Sequence, residues 1–196
     1  MIQSLFPFYQ NEKTALLIDG AYLYSISRNL DFDIDYSRFL KWISGRSQLL
    51  RASYYTIIQE DQEYSSIRPL VDWLDYNGFR VITKTIKEDI TNTRKKRPDI
   101  HVELSVDAMA IAKDVDHLLL CIGDNDFVHL ARELQNQGVR TSILGTTQSS
   151  NSITSDELRR HTDHFIEMKN IIPEICRDST SETISGEESL PQFMQA

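Results

Sequence analysis

Acidic residues directly follow two apolar segments of this chain. Residues 118–122 are apolar and are followed by Gly-Asp-Asn-Asp, which contains Asp124 and Asp126, and the apolar run 14–18 is followed by Asp19. A short apolar run that ends at glycine is typical of a buried β-strand. Ligands of an open α/β sheet bind at the C-terminal ends of its strands. If the two strands are parallel neighbours, their acids meet there and predict a metal site.

A third group of acids is spaced along a predicted helix. Asp99, Glu103 and Asp107 recur every four residues. Because each step of four residues advances a helix by only about 40°, the three side chains share one face. Such a stripe is unfavourable unless cations lie nearby. The sequence leaves two interpretations open: either the three acids lie on a solvated helix face, or they contribute to the acidic site at the ends of the strands.

Carboxylates without cysteine or histidine at metal spacing favour Mg²⁺ or Mn²⁺ over zinc. His161 and His164 are three residues apart, but no third partner stands at zinc spacing. Two hard cations can activate a water and stabilise the leaving oxygen in phosphodiester cleavage. Asp126 is also suited to cap a helix, so the sequence leaves its role as ligand or cap open.

Composition predicts one domain with terminal segments. The chain has 196 residues, of which 40% are hydrophobic, and a net charge of -8. We expect a lead-in at 1–12, the domain at 13–170 and a disordered tail at 177–196 that is rich in Ser, Thr and Glu. No apolar stretch reaches the roughly 18 residues of a membrane span, and the first residues make a poor signal peptide, so a cytoplasmic location is expected.

Strand and helix patterns alternate along the predicted domain. Strands are predicted at 14–18, 49–58, 79–84, 118–122 and 139–144, with an edge strand at 165–166. Helices are predicted at 36–43, 66–77, 99–113, 127–137 and 155–160, the last capped by Ser155. A repeating βα pattern favours a three-layer α/β/α sandwich around a mainly parallel sheet.

Charge and aromatic residues near the acids bear on possible partners. The acidic net charge speaks against a dedicated nucleic-acid binder but not against a nuclease, whose carboxylates contribute to it. Lys95, Lys96 and Arg97 belong to a basic run that either holds an RNA backbone or is simply solvated. Tyr22 and Tyr24 either stack on a base or pack in the domain. There is no glycine-rich phosphate loop.

Three segments together carry a family resemblance. Residues 17–23 read Leu-Ile-Asp-Gly-Ala-Tyr-Leu, residues 102–109 read Val-Glu-Leu-Ser-Val-Asp-Ala-Met, and residues 123–127 read Gly-Asp-Asn-Asp-Phe. In this order they resemble the three motifs of the NYN domain, a branch of the PIN-like nucleases, and in particular its LabA-like bacterial group. The resemblance covers roughly residues 14–168.

The resemblance implies a PIN-like fold and a divalent-metal-dependent ribonuclease that acts on single-stranded RNA with Mg²⁺ or Mn²⁺. It implies that Asp19, Asp107 and Asp124 are the catalytic, metal-binding core, with Asp99 and Asp126 as supporting metal ligands. No side chain needs to act as the nucleophile, because activated water takes that role. A non-catalytic RNA- or protein-binding module on the same fold is the alternative, and a homo-oligomer is left open.

The chain departs from the family pattern in three places. Ile122 stands where the family usually has Ser, and Arg97-Pro98 replaces the usual Lys-Gly. His101 takes the position of an acid that the family carries six residues before Asp107. Two consequences are open: Asp99 takes over the missing carboxylate, or His101 weakens metal binding.

Overall fold

The computed structural model describes residues 7–59, 67–86, 99–148 and 153–177. Within these ranges six strands form one sheet: β1 Lys13–Asp19, β2 Gln48–Gln59, β3 Phe79–Ile86, β4 His117–Cys121, β5 Arg140–Gly145 and β6 His164–Glu167. Their order is β3-β2-β1-β4-β5-β6, and every pairing is parallel. The predicted parallel sheet is confirmed, and β6 is the predicted edge strand.

Seven α-helices are described: α1 Gly20–Asn29, α2 Tyr36–Ser44, α3 Arg68–Tyr76, α4 His101–Ile111, α5 Val128–Asn136, α6 Asp156–Arg160 and α7 Ile172–Ile175. They cover both faces of the sheet, so the predicted three-layer sandwich is confirmed. Ser155 caps α6 as predicted, because its hydroxyl accepts from the Leu158 amide. The sequence did not predict α1, which buries only Leu23 and Ile26 among its large side chains.

Two apolar clusters form the core, one on each face of the sheet. Leu16 and Ile18 of β1 pack into the cluster that includes α1, α2 and α7. Ala15 and Leu17 point the other way, into the cluster with α4, α5 and α6. Successive side chains of a strand alternate between faces. Because both faces are covered, residues 15–18 of β1 and 118–121 of β4 form continuous apolar runs, as expected for a parallel sheet.

The strand order changes direction between β1 and β4. From β1 the chain adds β2 and β3 on one side, and β4 to β6 follow on the other side. At such a switch point a crevice opens beyond the carboxyl ends of the strands. Ile18 of β1 pairs with Cys121 of β4, which confirms that the two strands are parallel neighbours. The residues after them, including Asp19 and Asp124, therefore flank the crevice.

Some sequence predictions concern the ends of the chain or fall outside the described residues. In the expected lead-in, Phe8 is buried and packs edge-on against Trp42 with ring centroids 5.3 Å apart. Residues 178–196, which make up nearly all of the expected tail, lie outside the described residues, as do Lys95, Lys96 and Arg97. No helix in the described part of the chain has the length and apolar character to cross a membrane.

Candidate metal centre

Asp19 occupies the last position of β1 and is the N-cap of α1. Its Oδ1 accepts hydrogen bonds from the backbone amides of Ala21 at 2.9 Å and Tyr22 at 3.2 Å. Aspartate is favoured at this position because its carboxylate satisfies amides that have no partner within the helix. The cap thus fixes the carboxylate at the mouth of the crevice.

Burial raises the pKa of the Asp19 carboxyl above its ordinary value. The amide hydrogen bonds from Tyr22 and Ala21 and the nearby His101 act in the opposite direction, whereas the negative charge of Asp124 raises the pKa further. Asp19 therefore lies within electrostatic reach of both His101 and Asp124. An ionised carboxylate here is poorly solvated, and a bound cation would stabilise it.

Asp124 begins the 3-10 turn 125–127 that leads from β4 into α5. Its Oδ1 accepts a hydrogen bond of 2.9 Å from the amide of Asp126, and both side chains are exposed. Phe127 is the residue before α5, and no side chain caps that helix. Asp126 therefore does not cap α5, and Asp124 caps the 3-10 turn that precedes this helix.

His101, the first residue of α4, completes a cluster of potential ligands. One ligand atom each from His101, Asp124 and Asp126 lie within 4.8 Å of one another. Ligand atoms on opposite sides of a small divalent cation are about 4 Å apart, so small side-chain adjustments would close this set around an ion. The sequence analysis did not assign His101 as a ligand. The available signal was its position, six residues before Asp107.

Asp107 has other partners, on β2 and β3. Its Oδ2 accepts a hydrogen bond of 3.0 Å from the Tyr55 hydroxyl and lies 3.5 Å from Nη1 of Arg80. Six residues of helix separate Asp107 from His101 by about 9 Å along the axis. The cluster found among the described residues does not include Asp107. Its implied role as a metal ligand stays a prediction.

The other two acids of the predicted stripe are also held by β3. Nζ of Lys84 lies 2.9 Å from Oε1 of Glu103 and donates to the backbone carbonyl of Asp99 at 2.9 Å. The hydrogen bond from Lys84 lowers the pKa of Glu103. Oδ1 of Asp99 accepts from the amide of His101 at 3.4 Å, so Asp99 helps to form the start of α4. The acids of the stripe thus contact cations of β3, which offset the repulsion between the carboxylates. The role of Asp99 as a metal ligand stays a prediction.

Two glycines let aromatic rings pack against the acid-bearing turns. A Cβ on Gly20 would lie 2.6 Å from the ring of Tyr54, and a Cβ on Gly123 would overlap the ring of Tyr22. The Tyr22 hydroxyl is 2.7 Å from Oγ1 of Thr154. Of the two interpretations of Tyr22, the structure therefore supports packing. Ile122, just before Gly123, is fully buried in the apolar core.

An open cavity of about 750 Å³ adjoins the acidic edge, and both Asp19 and His101 line it. Tyr24 and Arg28 of α1 also line this cavity, and both side chains are exposed. The volume falls within the range of about 300 to 1,000 Å³ that is usual for small-ligand sites. The cavity is therefore large enough to admit a nucleotide unit beside the carboxylates.

Fold and site together define an α/β domain with a candidate metal centre at its topological switch point. The family model of the NYN domain matches residues 13–171, and the chain belongs to this family of PIN-like nucleases. A crystal structure of a protein of unknown function from Vibrio parahaemolyticus RIMD 2210633 is similar. It is 24% identical with a TM-score of 0.68, over 83% of this chain and 96% of that chain, which shows the fold. No curated protein matches the chain.

Proposed function

We propose that this protein is a divalent-metal-dependent ribonuclease that hydrolyses phosphodiester bonds of single-stranded RNA. The observation that carries the proposal is the cluster of His101, Asp124 and Asp126 at one sheet edge, next to Asp19, which lines an open cavity together with His101. Membership of a PIN-like nuclease family supports the same activity. Assignment to the LabA-like group and a cytoplasmic location belong to the proposal as well.

The residues at this edge fit a divalent cation. Asp19 supplies a carboxylate that burial leaves poorly solvated, and Asp124 and Asp126 supply two more that face solvent. Oxygen ligands of this kind suit Mg²⁺ or Mn²⁺. When bound, such an ion would supply Lewis acidity and lower the pKa of a water that attacks phosphorus. The carboxylates would hold the ion, and the capped turns would keep them in place.

The cavity offers two contacts for RNA on one face of α1. Tyr24 and Arg28 are four residues apart on α1, so their side chains lie on the same face, one turn apart. The ring of Tyr24 is 65% exposed and could stack on an unpaired base, which is a contact that tolerates any sequence. The Arg28 guanidinium could pair with a phosphate. The stacking contact requires single-stranded RNA, because a base in a duplex is already stacked.

An RNA cleavage assay on substitutions of two acids tests the proposal. Asp124→Asn and Asp19→Asn each remove a charge but keep an oxygen that can accept the capping hydrogen bonds, so both variants should fold. With Mg²⁺ or Mn²⁺, we expect wild type to degrade labelled single-stranded RNA and each variant to lose at least about a hundredfold in rate. Chelation should stop the wild-type reaction, whereas Asp72→Asn, an exposed acid of α3, should have no effect.

Full activity of both site variants would overturn the assignment of the site. A non-catalytic RNA- or protein-binding module is the second candidate, and His101 is the observation that favours it, because it leaves the edge with one carboxylate fewer than the family pattern. This candidate expects wild type to leave all tested RNAs intact. RNA binding that still changes the fluorescence anisotropy of the labelled RNA would identify RNA as its partner.

A further inference from the structure

We propose that His101 is itself a metal ligand and that its imidazole makes the site prefer Mn²⁺ and the later first-row ions to Mg²⁺. This inference deepens the proposed function, since it rests on the proposed cation site at the same sheet edge. It assigns a nitrogen ligand to a site whose other candidates are all carboxylates.

The imidazole is already directed at the acids. Its Nδ1 lies 3.5 Å from Oδ2 of Asp126, and a ring nitrogen is within 4.8 Å of the carboxylates of Asp124 and Asp126. His101 also lines the same cavity as Asp19 and lowers the pKa of that carboxyl, which burial raises. The ring thus lies next to the two acids after β4 and lines the same cavity as the acid at the end of β1.

Local packing holds the ring in this place. The imidazole contacts Phe127 with ring centroids 4.6 Å apart, and the backbone amide of His101 donates to Asp99. Its side chain is only 21% exposed. A side chain that is already oriented loses little conformational freedom when it binds an ion. His101 therefore has the preorganisation expected of a ligand, in contrast to a freely mobile surface histidine.

A nitrogen ligand changes which ions bind best. Mg²⁺ is small and hard, and it is normally held by carboxylates and water, whereas imidazole suits transition metals. In a mixed nitrogen and oxygen site, affinity rises from Mn²⁺ through Fe²⁺ to Co²⁺. Imidazole in place of a carboxylate also removes one negative charge that would attract Mg²⁺. We therefore expect the affinity order Mg²⁺, Mn²⁺, Co²⁺, from weakest to strongest.

The direct test is electron spin-echo spectroscopy of Mn²⁺ bound to the chelator-treated, full-length protein. A coordinated imidazole nitrogen modulates the echo, so we expect nitrogen modulation in wild type and its loss in His101→Ala and His101→Asp. The matched control is His164→Asp, since His164 is exposed at the start of β6, at the opposite edge of the sheet. This variant should keep the signal.

Competition titrations measure the preference itself. Loss of Mn²⁺ from wild type upon addition of Mg²⁺ or Co²⁺ gives the affinity ratios, and we expect Mn²⁺ to bind on the order of tenfold more tightly than Mg²⁺. His101→Asp supplies a fourth carboxylate and should reduce this ratio severalfold by strengthening Mg²⁺ binding. Circular dichroism of each variant checks that the fold is retained.

The outcomes separate this inference from the proposed ribonuclease. Bound Mn²⁺ without nitrogen modulation in wild type would overturn the inference, because His101 would then only contact Asp126, while RNA cleavage could still proceed. Nitrogen modulation together with the expected ratios would support the inference even if no RNA were cleaved, in which case only the ribonuclease proposal fails. Absence of any divalent-ion binding by wild type would overturn both.

Discussion

Asp19 serves two purposes that conflict in the metal-free protein. As a helix cap it accepts two amide hydrogen bonds, which favours the ionised form, yet burial disfavours that form and raises its pKa. An acid with a raised folded-state pKa contributes stability that is fully present below its unfolded pKa of about 3.8 and is lost as pH rises through the folded pKa. Ionisation of Asp19 therefore destabilises the metal-free fold, and a bound cation would offset this cost.

Asp19→Asn separates the cap from the charge. Asparagine retains a capping oxygen and has no charge to desolvate, so we expect the metal-free variant to melt at the wild-type temperature or a few degrees above it. A change of 1 kcal/mol corresponds to about 2–4 °C for a domain of this size. The increase in melting temperature on addition of Mn²⁺ should disappear. Differential scanning calorimetry at neutral pH, with chelator and then with Mn²⁺, measures both effects.

Asp19→Ala is the matched control, because it removes the charge and the cap together. Loss of a helix cap costs roughly 0.5–2 kcal/mol, so this variant should melt below Asp19→Asn. If Asp19→Asn melted well below wild type and still responded to Mn²⁺, then the ionised carboxylate would stabilise the free protein and would not be a ligand.

At the scale of elements, strand β3 holds helix α4 through two ion pairs. Arg80 and Lys84 lie on one face of β3, since side chains four residues apart on a strand point the same way. Opposite them, Asp107 and Glu103 lie one turn apart on α4. These contacts add to the apolar packing of Ile100, Leu104 and Ala108, which holds α4 against the sheet. The acidic stripe thus joins the helix that begins at His101 to β3.

Asp107→Asn tests whether this acid acts through structure or through metal. Its ion pair with Arg80 is partly exposed, and such pairs contribute about 0–1 kcal/mol, while asparagine can still accept from the Tyr55 hydroxyl. A purely structural role predicts a slightly lower urea midpoint and an unchanged Mn²⁺ affinity. In the Arg80→Ala background the same change should have a smaller effect on stability. A large loss of Mn²⁺ affinity would instead establish the ligand role that the family resemblance implies.

Local sequence patterns were sufficient to predict the strands, but not the contacts between side chains of different elements. The apolar runs of β1 and β4 and the Ser155 cap can be predicted because they depend on residues that are close together in the sequence. The approach of His101 to Asp126 depends on how α4 crosses the sheet, and the pairing of Lys84 with Glu103 depends on the register of a helix against a strand. Neither relation leaves a periodic signal in the sequence. The acids alone therefore predicted that acidic side chains gather at this edge, but not the full set of side chains there.

Over the molecule as a whole, a buried histidine links the N-terminal segment to the centre of the sheet. His117 of β4 is fully buried, with Nε2 2.7 Å from the hydroxyl of Ser142 on β5. Glu12, just before β1, lies 3.8 Å from its Nδ1 and forms an ion pair with Arg140. Burial, the charge of Arg140 and nearby His164 lower the pKa of His117 to about 3.

The lowered pKa of His117 makes the stability of the whole domain depend on pH. A histidine with a depressed folded-state pKa stabilises the fold above its unfolded pKa of about 6.5, and this contribution is lost as pH falls towards the folded value of about 3. Within that interval the unfolded chain binds a proton that the folded chain does not, which lowers the free energy of unfolding by up to about 1.4 kcal/mol per pH unit. His117→Gln can keep a hydrogen bond to Ser142 but cannot titrate.

Urea unfolding across this pH interval measures the effect as a difference between the two proteins. Carboxylates titrate in wild type and variant alike, so the free energy of unfolding should fall more steeply with acid in wild type than in His117→Gln. The matched control is His164→Gln, an exposed histidine that should retain most of the wild-type slope. Equal slopes for wild type and His117→Gln would mean that His117 takes up a proton in the folded state, with Glu12 as the acceptor beside it, and that acid sensitivity originates elsewhere in the domain.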